Sequence, residues 1–102
     1  MKRVMVRYRV KADRGNENAD YIKKVFEELQ RERPTGLRYA SFRLDDGVTF
    51  VHLAEVDTPD GSNPLTATSA FKAFQAELKD RCEEMPTATQ LHEVGSFNIF
   101  ND

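Results

Sequence analysis

The chain has two histidines, one cysteine and three tyrosines with which to do side-chain chemistry, and His52 is the best placed of them. It lies inside the run VTFVHLAEV, rich in β-branched residues, which faces a similar run, LRYASFRL, across Asp45-Asp46-Gly47. If Asp46 and Gly47 form a two-residue turn, Ser41 stands opposite His52, with Tyr39 and Arg43 on the diagonals. An imidazole that is neutral near pH 7 can act as acid or base, while Tyr39, Ser41 and Arg43 orient an anionic or phenolic ligand. The same set also describes a core or interface histidine bonded to its neighbours. A three-residue turn with Gly47 in a bulge would shift the pairing by one.

Arg7 is the second candidate for holding a ligand. Arg7 and Arg9 alternate with apolar residues in VMVRYRV, and an arginine on a central strand needs an anionic partner from ligand or protein. The protein alternative is a salt bridge between subunits, with Glu55 or Glu93 as acceptor. His92 falls in the last run of the chain, where an edge or dimer contact is the simpler role. Cys82 has no base near it in sequence and reads as a small core residue. Phe71 and Phe74 follow helical spacing and read as core. Asp45-Asp46-Gly47 has too few carboxylates for a metal loop, and one cysteine with two histidines makes a poor zinc inventory.

These residues are positioned by an order of elements that the patterning makes visible. Val4–Val10 alternates with period two, as a strand does. Lys11–Asn18 is polar and leads to Asn16 or Asn18 as a helix cap. Ile22, Val25, Phe26 and Leu29 give a helix over 19–32, stopped by Arg33-Pro34-Thr35-Gly36. The hairpin follows, with a pairing of Arg38 and Glu55 in the first register. After the loop Asp57–Pro64, a stripe of Ala67, Ala70, Phe71, Phe74, Leu78, Cys82 and Met85 predicts one long helix ended by Pro86. Ala88–Phe100 alternates again and predicts the last strand, bent at Gly95.

Strand, helix, strand, strand, helix, strand with right-handed crossovers gives an α+β, ferredoxin-like βαββαβ fold: a four-stranded antiparallel sheet with both helices on one face. A chain of 102 residues suits a single domain, residues 1–102. The strands carry apolar residues on both sides, so the face without helices calls for a cover, and a second copy of the chain is the economical one. A net charge of −2, from 15 basic and 17 acidic residues, gives no attraction for nucleic acid or an anionic membrane. With no signal-peptide core and no apolar run long enough to span a bilayer, the expected location is the cytoplasm.

The length, the element order, the hairpin, and PLTATSAFKAFQAELKDR followed by HEVGSF resemble the dimeric α+β barrel superfamily, which includes the antibiotic-biosynthesis monooxygenase-like proteins. The resemblance covers essentially the whole chain as pattern and architecture, without a diagnostic motif. It implies a homodimer of two sheets packed face to face. The activities it implies range from cofactor-independent monooxygenases to haem-degrading enzymes and isomerases. The haem-degrading branch uses an Asn on the first strand, a Trp late on the third and a His on the second helix. This chain has no Trp and no His on that helix, so haem degradation is disfavoured.

Two functions remain. One is a monooxygenase-like enzyme, without metal or cofactor, acting on a small aromatic or enolic molecule through His52, with Tyr39, Ser41, Arg43 and Arg7 as ligand-binding groups. The other is a non-catalytic ligand-binding or interaction dimer. An open pocket converging on His52 favours the first; a dry interior filled by Phe50 and Val56 favours the second. No G-x-G-x-x-G run supports dinucleotide binding.

Overall fold

The structure is a computed structural model that describes residues 1–99. Strand β1 (Lys2–Val10) is followed by helix α1 (Gly15–Glu32), strands β2 (Leu37–Arg43) and β3 (Thr49–Val56), a 3-10 turn over Pro64–Ala67, short helices α2 (Ser69–Ala76) and α3 (Leu78–Arg81), and strand β4 (Cys82–Gln90). The sheet is antiparallel with order β2-β3-β1-β4, the ferredoxin-like arrangement. The period-two pattern of β1 sends Tyr8 and Val10 into the core beneath the helices, while Arg7 and Arg9 are exposed on the other side.

The hairpin has the register that the two-residue turn implied: Ser41 faces His52 and Tyr39 faces Ala54. The turn itself is longer. Leu44 donates to Thr49 at 2.9 Å and accepts from Gly47 at 2.9 Å, so Asp45–Val48 form a four-residue loop. Asp46 decides this geometry. Its carboxylate accepts the amides of Val48 and Thr49 and the Thr49 hydroxyl, which together lower its pKa to about 2. Gly47 supplies the positive φ that the loop requires. Glu55, opposite Arg38, takes its ion pair from Arg3 of β1 at 2.8 Å.

Helix α1 begins a turn earlier than its apolar spacing suggests, at Gly15. A Cβ there would overlap the Gly47 carbonyl oxygen, so a glycine lets the helix start against the hairpin loop. Asn18 therefore lies inside the helix, fully buried, and caps nothing. The far end behaves as Pro34 requires: Arg33 turns left-handed and its N–H returns to Leu29.

The second half of the chain departs most from its pattern. The single long helix is broken at Thr68, whose side chain caps α2 through the Phe71 amide, and again at Glu77. From Cys82 the backbone is extended, and CEEMPTATQ forms the strand expected further on. Pro86 lies within β4, which is tolerated because β4 is an edge strand. It falls at a bulge: Arg7 pairs with Thr87 and Arg9 with Glu84, leaving Met85 and Pro86 opposite Tyr8. Cys82 is buried as expected, on the strand, whereas Met85 points outward, half-exposed. Residues 91–99 are irregular, tied to β1 by the Leu91 amide on the Arg3 carbonyl and by an Arg3–Glu93 pair. Val94 and Phe97 are exposed, and Phe100 lies outside the described residues.

Candidate functional site

Tyr8, Phe50, His52 and Tyr39 come from the three adjacent strands β1, β3 and β2 and point to the helix side of the sheet. Side chains on one face at neighbouring register positions must meet, and here they stack. His52 lies nearly parallel to Tyr8 on one side and to Tyr39 on the other, at centroid distances of 5.3 and 5.8 Å. Phe50 extends the stack beyond Tyr8, and Phe26 of α1 closes it beyond Tyr39.

The polar atoms of these rings form one chain. His52 Nε2 is 2.8 Å from the Tyr8 hydroxyl; Nδ1 is 2.6 Å from the Tyr39 hydroxyl and 2.7 Å from Ser41 Oγ. The Tyr8 hydroxyl accepts from Asn18 Nδ2 at 2.8 Å, and Asn18 Oδ1 accepts from Arg81 Nε at 3.0 Å. Arg81 is fully buried at the end of α3. It donates through Nη2 to the Phe74 carbonyl, and its guanidinium lies 4.2 Å over the Tyr21 ring. Its Nη1 has no partner among the described residues.

Burial sets the protonation of this chain. It lowers the His52 pKa to about 4, so the ring is neutral at physiological pH and both nitrogens are occupied by hydroxyls. Burial also pushes the Tyr39 hydroxyl up to about 12 and holds Tyr8 well above the usual phenol range, so neither is a ready phenolate.

Beside the stack a cavity of about 500 Å³ opens between the sheet and the second helical segment. Val4, Val6, Ala54 and Val56 form its sheet wall; Leu65, Phe71, Phe74 and Leu78 form the opposite one. Tyr8, His52 and Tyr39 supply its polar end. The size and the apolar wall with a few convergent polar groups are those of a small-molecule site. The bulge at Pro86 borders the same cavity.

His52, Tyr39 and Ser41 are thus brought together as the sequence suggested. Neither Ser41 nor Arg43 is among the cavity's lining residues: Ser41 bonds His52 Nδ1, and Arg43 donates to the Gly47 carbonyl and lies over the Phe50 ring. Arg7 points to the opposite, helix-free face of the sheet. The two glutamates considered as arginine partners both bond Arg3, and Arg9 pairs with Glu83 and Glu84 of β4. His92 is exposed in the irregular segment. Tyr8, Asn18 and Arg81 are the members that sequence reasoning missed. A signal existed for Arg81, which follows Leu78 by three residues on the buried stripe of the helical segment.

No protein-family model matches the sequence, and no curated protein does. Solved structures do. One is an antibiotic biosynthesis monooxygenase with a TM-score of 0.75 at 19% identity, over 93% of this chain and 100% of that one. The chain has the antibiotic biosynthesis monooxygenase fold. SnoaB from Streptomyces nogalater, a cofactor-independent oxygenase solved in a mutant form, shares the fold with a TM-score of 0.68 at 14% identity, over 95% of this chain and 96% of that one. A protein of unknown function from Nitrosomonas europaea has it as well, with a TM-score of 0.72 at 13% identity, over 94% of this chain and 91% of that one. At such identities the monooxygenase fold is shared, while the residues of any site are this chain's own. Among the described residues no helix is long and apolar enough to cross a membrane.

Proposed function

We propose that the chain is a small cofactor-independent oxygenase that acts on an aromatic or enolic molecule bound in the cavity beside His52. The observation that carries this reading is the convergence of Tyr8, His52 and Tyr39 on a cavity whose sheet and helix walls are apolar. A flat apolar substrate fills the space between the sheet and Phe71 and Phe74, with its oxygen at the polar end. Neutral His52 is the base. It takes a proton from the substrate through Tyr8, whose oxygen receives the substrate proton as its own passes to Nε2. Tyr39, which lines the cavity, holds the resulting enolate oxygen, and Ser41 supports it from behind through His52 Nδ1. The enolate carbon then attacks dioxygen and, with a returned proton, forms a C–O bond as a hydroperoxide; loss of water leaves one oxygen on carbon as a carbonyl. Dioxygen is the oxidant and the substrate the reductant. Arg43 and Arg7 take no part at this cavity.

The working unit is a homodimer. Met5, Ala40, Phe42, Val51 and Leu53 sit on the sheet face without helices, and Phe42 is 53% exposed there. A second copy covers that face, where Arg7 would meet it. The low pKa of His52 supports a second reading, a binding module in which the ring only donates and accepts hydrogen bonds.

Dioxygen uptake with readily enolised aromatic ketones, beginning with 2-tetralone, separates the two. The oxygenase reading predicts uptake that falls by about 100-fold or more in kcat/KM for His52→Gln. Binding without uptake leaves the binding module, and uptake unchanged in His52→Gln removes His52 from the chemistry.

A further inference from the structure

We infer that Arg81 and Asn18 fix the direction of the hydrogen-bond chain, so that His52 carries its proton on Nδ1 and the cavity presents a hydroxyl proton to an acceptor oxygen of the ligand. The statement about the ligand rests on the cavity being a ligand site; the statement about His52 does not.

The direction follows from what each group can do. A guanidinium only donates, so the Asn18 atom facing Arg81 Nε is the amide oxygen. The amide nitrogen then faces Tyr8 and donates to its oxygen. Tyr8 must place its own proton elsewhere, and among the described residues the acceptor within reach is His52 Nε2. With Tyr8 2% exposed, a phenol proton left unpaired there would be costly. Nε2 therefore accepts, and a neutral ring has its proton on Nδ1.

Nδ1 faces two hydroxyls, those of Tyr39 and Ser41. In this tautomer the three groups hold three protons but only two accepting oxygens. Nδ1 donates to one oxygen, and one hydroxyl can donate to the other. The remaining hydroxyl proton finds no acceptor within the group. In the opposite tautomer one hydroxyl would donate to the Nδ1 lone pair and the other to that hydroxyl's oxygen, and none would be left over. The fixed donor at Arg81 thus decides whether the polar end of the cavity has a proton to give. Ser41 donates to the Tyr39 oxygen, so the proton left over is that of Tyr39, which lines that end whereas Ser41 does not. The ligand group it suits is a carbonyl, enolate or phenolate oxygen rather than an ammonium or amide N–H.

Asn18 and Arg81 are positioning residues here, and Asn18→Asp tests them without changing shape. The carboxylate still accepts from Arg81 but has no proton for Tyr8. Tyr8 must then donate to it and accept from Nε2, which reverses the tautomer. Long-range proton–nitrogen correlation on histidine-labelled protein reads the tautomer directly, with His92→Gln assigning the second signal. The inference predicts a proton on Nδ1 in the wild type and on Nε2 in Asn18→Asp. A proton on Nε2 in the wild type overturns it, as does an unchanged Nδ1 proton in a folded Asn18→Asp; if the variant does not fold, the wild-type spectrum decides. For the ligand, 1-tetralone should bind about five- to tenfold more tightly than tetralin, which lacks only the carbonyl oxygen. Equal binding, or none by either, overturns the statement about the ligand and leaves the tautomer result standing.

Discussion

The two faces of the sheet are made from the same strands yet hold their polar groups in opposite ways. On the helix side, Tyr8, His52, Asn18 and Arg81 are all buried, and each bonds a defined neighbour. On the other side, Arg9 pairs with Glu83 and Glu84 in the open, and Phe42 stands exposed. Burial is what separates them. Where water is excluded, a polar group must be paired, and the pairing fixes protons and ring positions. Where water has access, charges make weak, replaceable contacts. The inner face therefore holds its polar groups in fixed places, while those of the outer face stay loosely held.

Substitutions should follow that division. The largest effect is expected for Phe74→Ala, which removes a cavity wall that is 4% exposed and should cost about 3 kcal/mol or more in urea unfolding. Phe42→Ala on the outer face should change the stability of the monomer by no more than about 0.5 kcal/mol and show instead in the native mass. Light scattering should give twice 11.7 kDa for the wild type, and Leu53→Asp should bring it down to the monomer. A monomeric wild type would leave the outer face without its proposed role.

Acid should act through the inner face first. His52 is held at about 4 against an ordinary value of 6.5, so the unfolded chain takes up this proton before the folded one does. Stability that is fully present above pH 6.5 should fall by about 3 kcal/mol as the pH drops to 4, and His52→Gln should flatten that slope. Equal slopes for both proteins would mean that His52 is not buried neutral. Asn18→Leu, which strands Tyr8 and Arg81, should cost about 2 kcal/mol. Met85→Ala, like Phe42→Ala, should stay within about 0.5 kcal/mol, because that side chain is half-exposed on the edge strand.

The inner face was also the more legible in sequence. Period two placed Tyr39, Ser41 and His52 on one side of the hairpin, and the register followed from that pattern even though the Asp46 loop took another form. The second helix misled because a stripe at helical spacing continues past Leu78 by coincidence. Cys82 is buried from a strand as well as it would be from a helix, so its burial could not reveal the change of backbone. The strand after it reads as polar because an edge strand facing water needs no apolar alternation. Asn18 looked like a cap because its partner, Tyr8, lies on another element, and no local pattern records a contact made across the fold.

Binding at the inner cavity is the central claim, and proton–nitrogen spectra of the labelled protein titrated with 2-naphthol test it most directly. The account predicts saturable shifts at Tyr8, Tyr39, His52 and Phe74. Shifts confined to Phe42 and Leu53 on the outer face, or none at millimolar ligand, would contradict it.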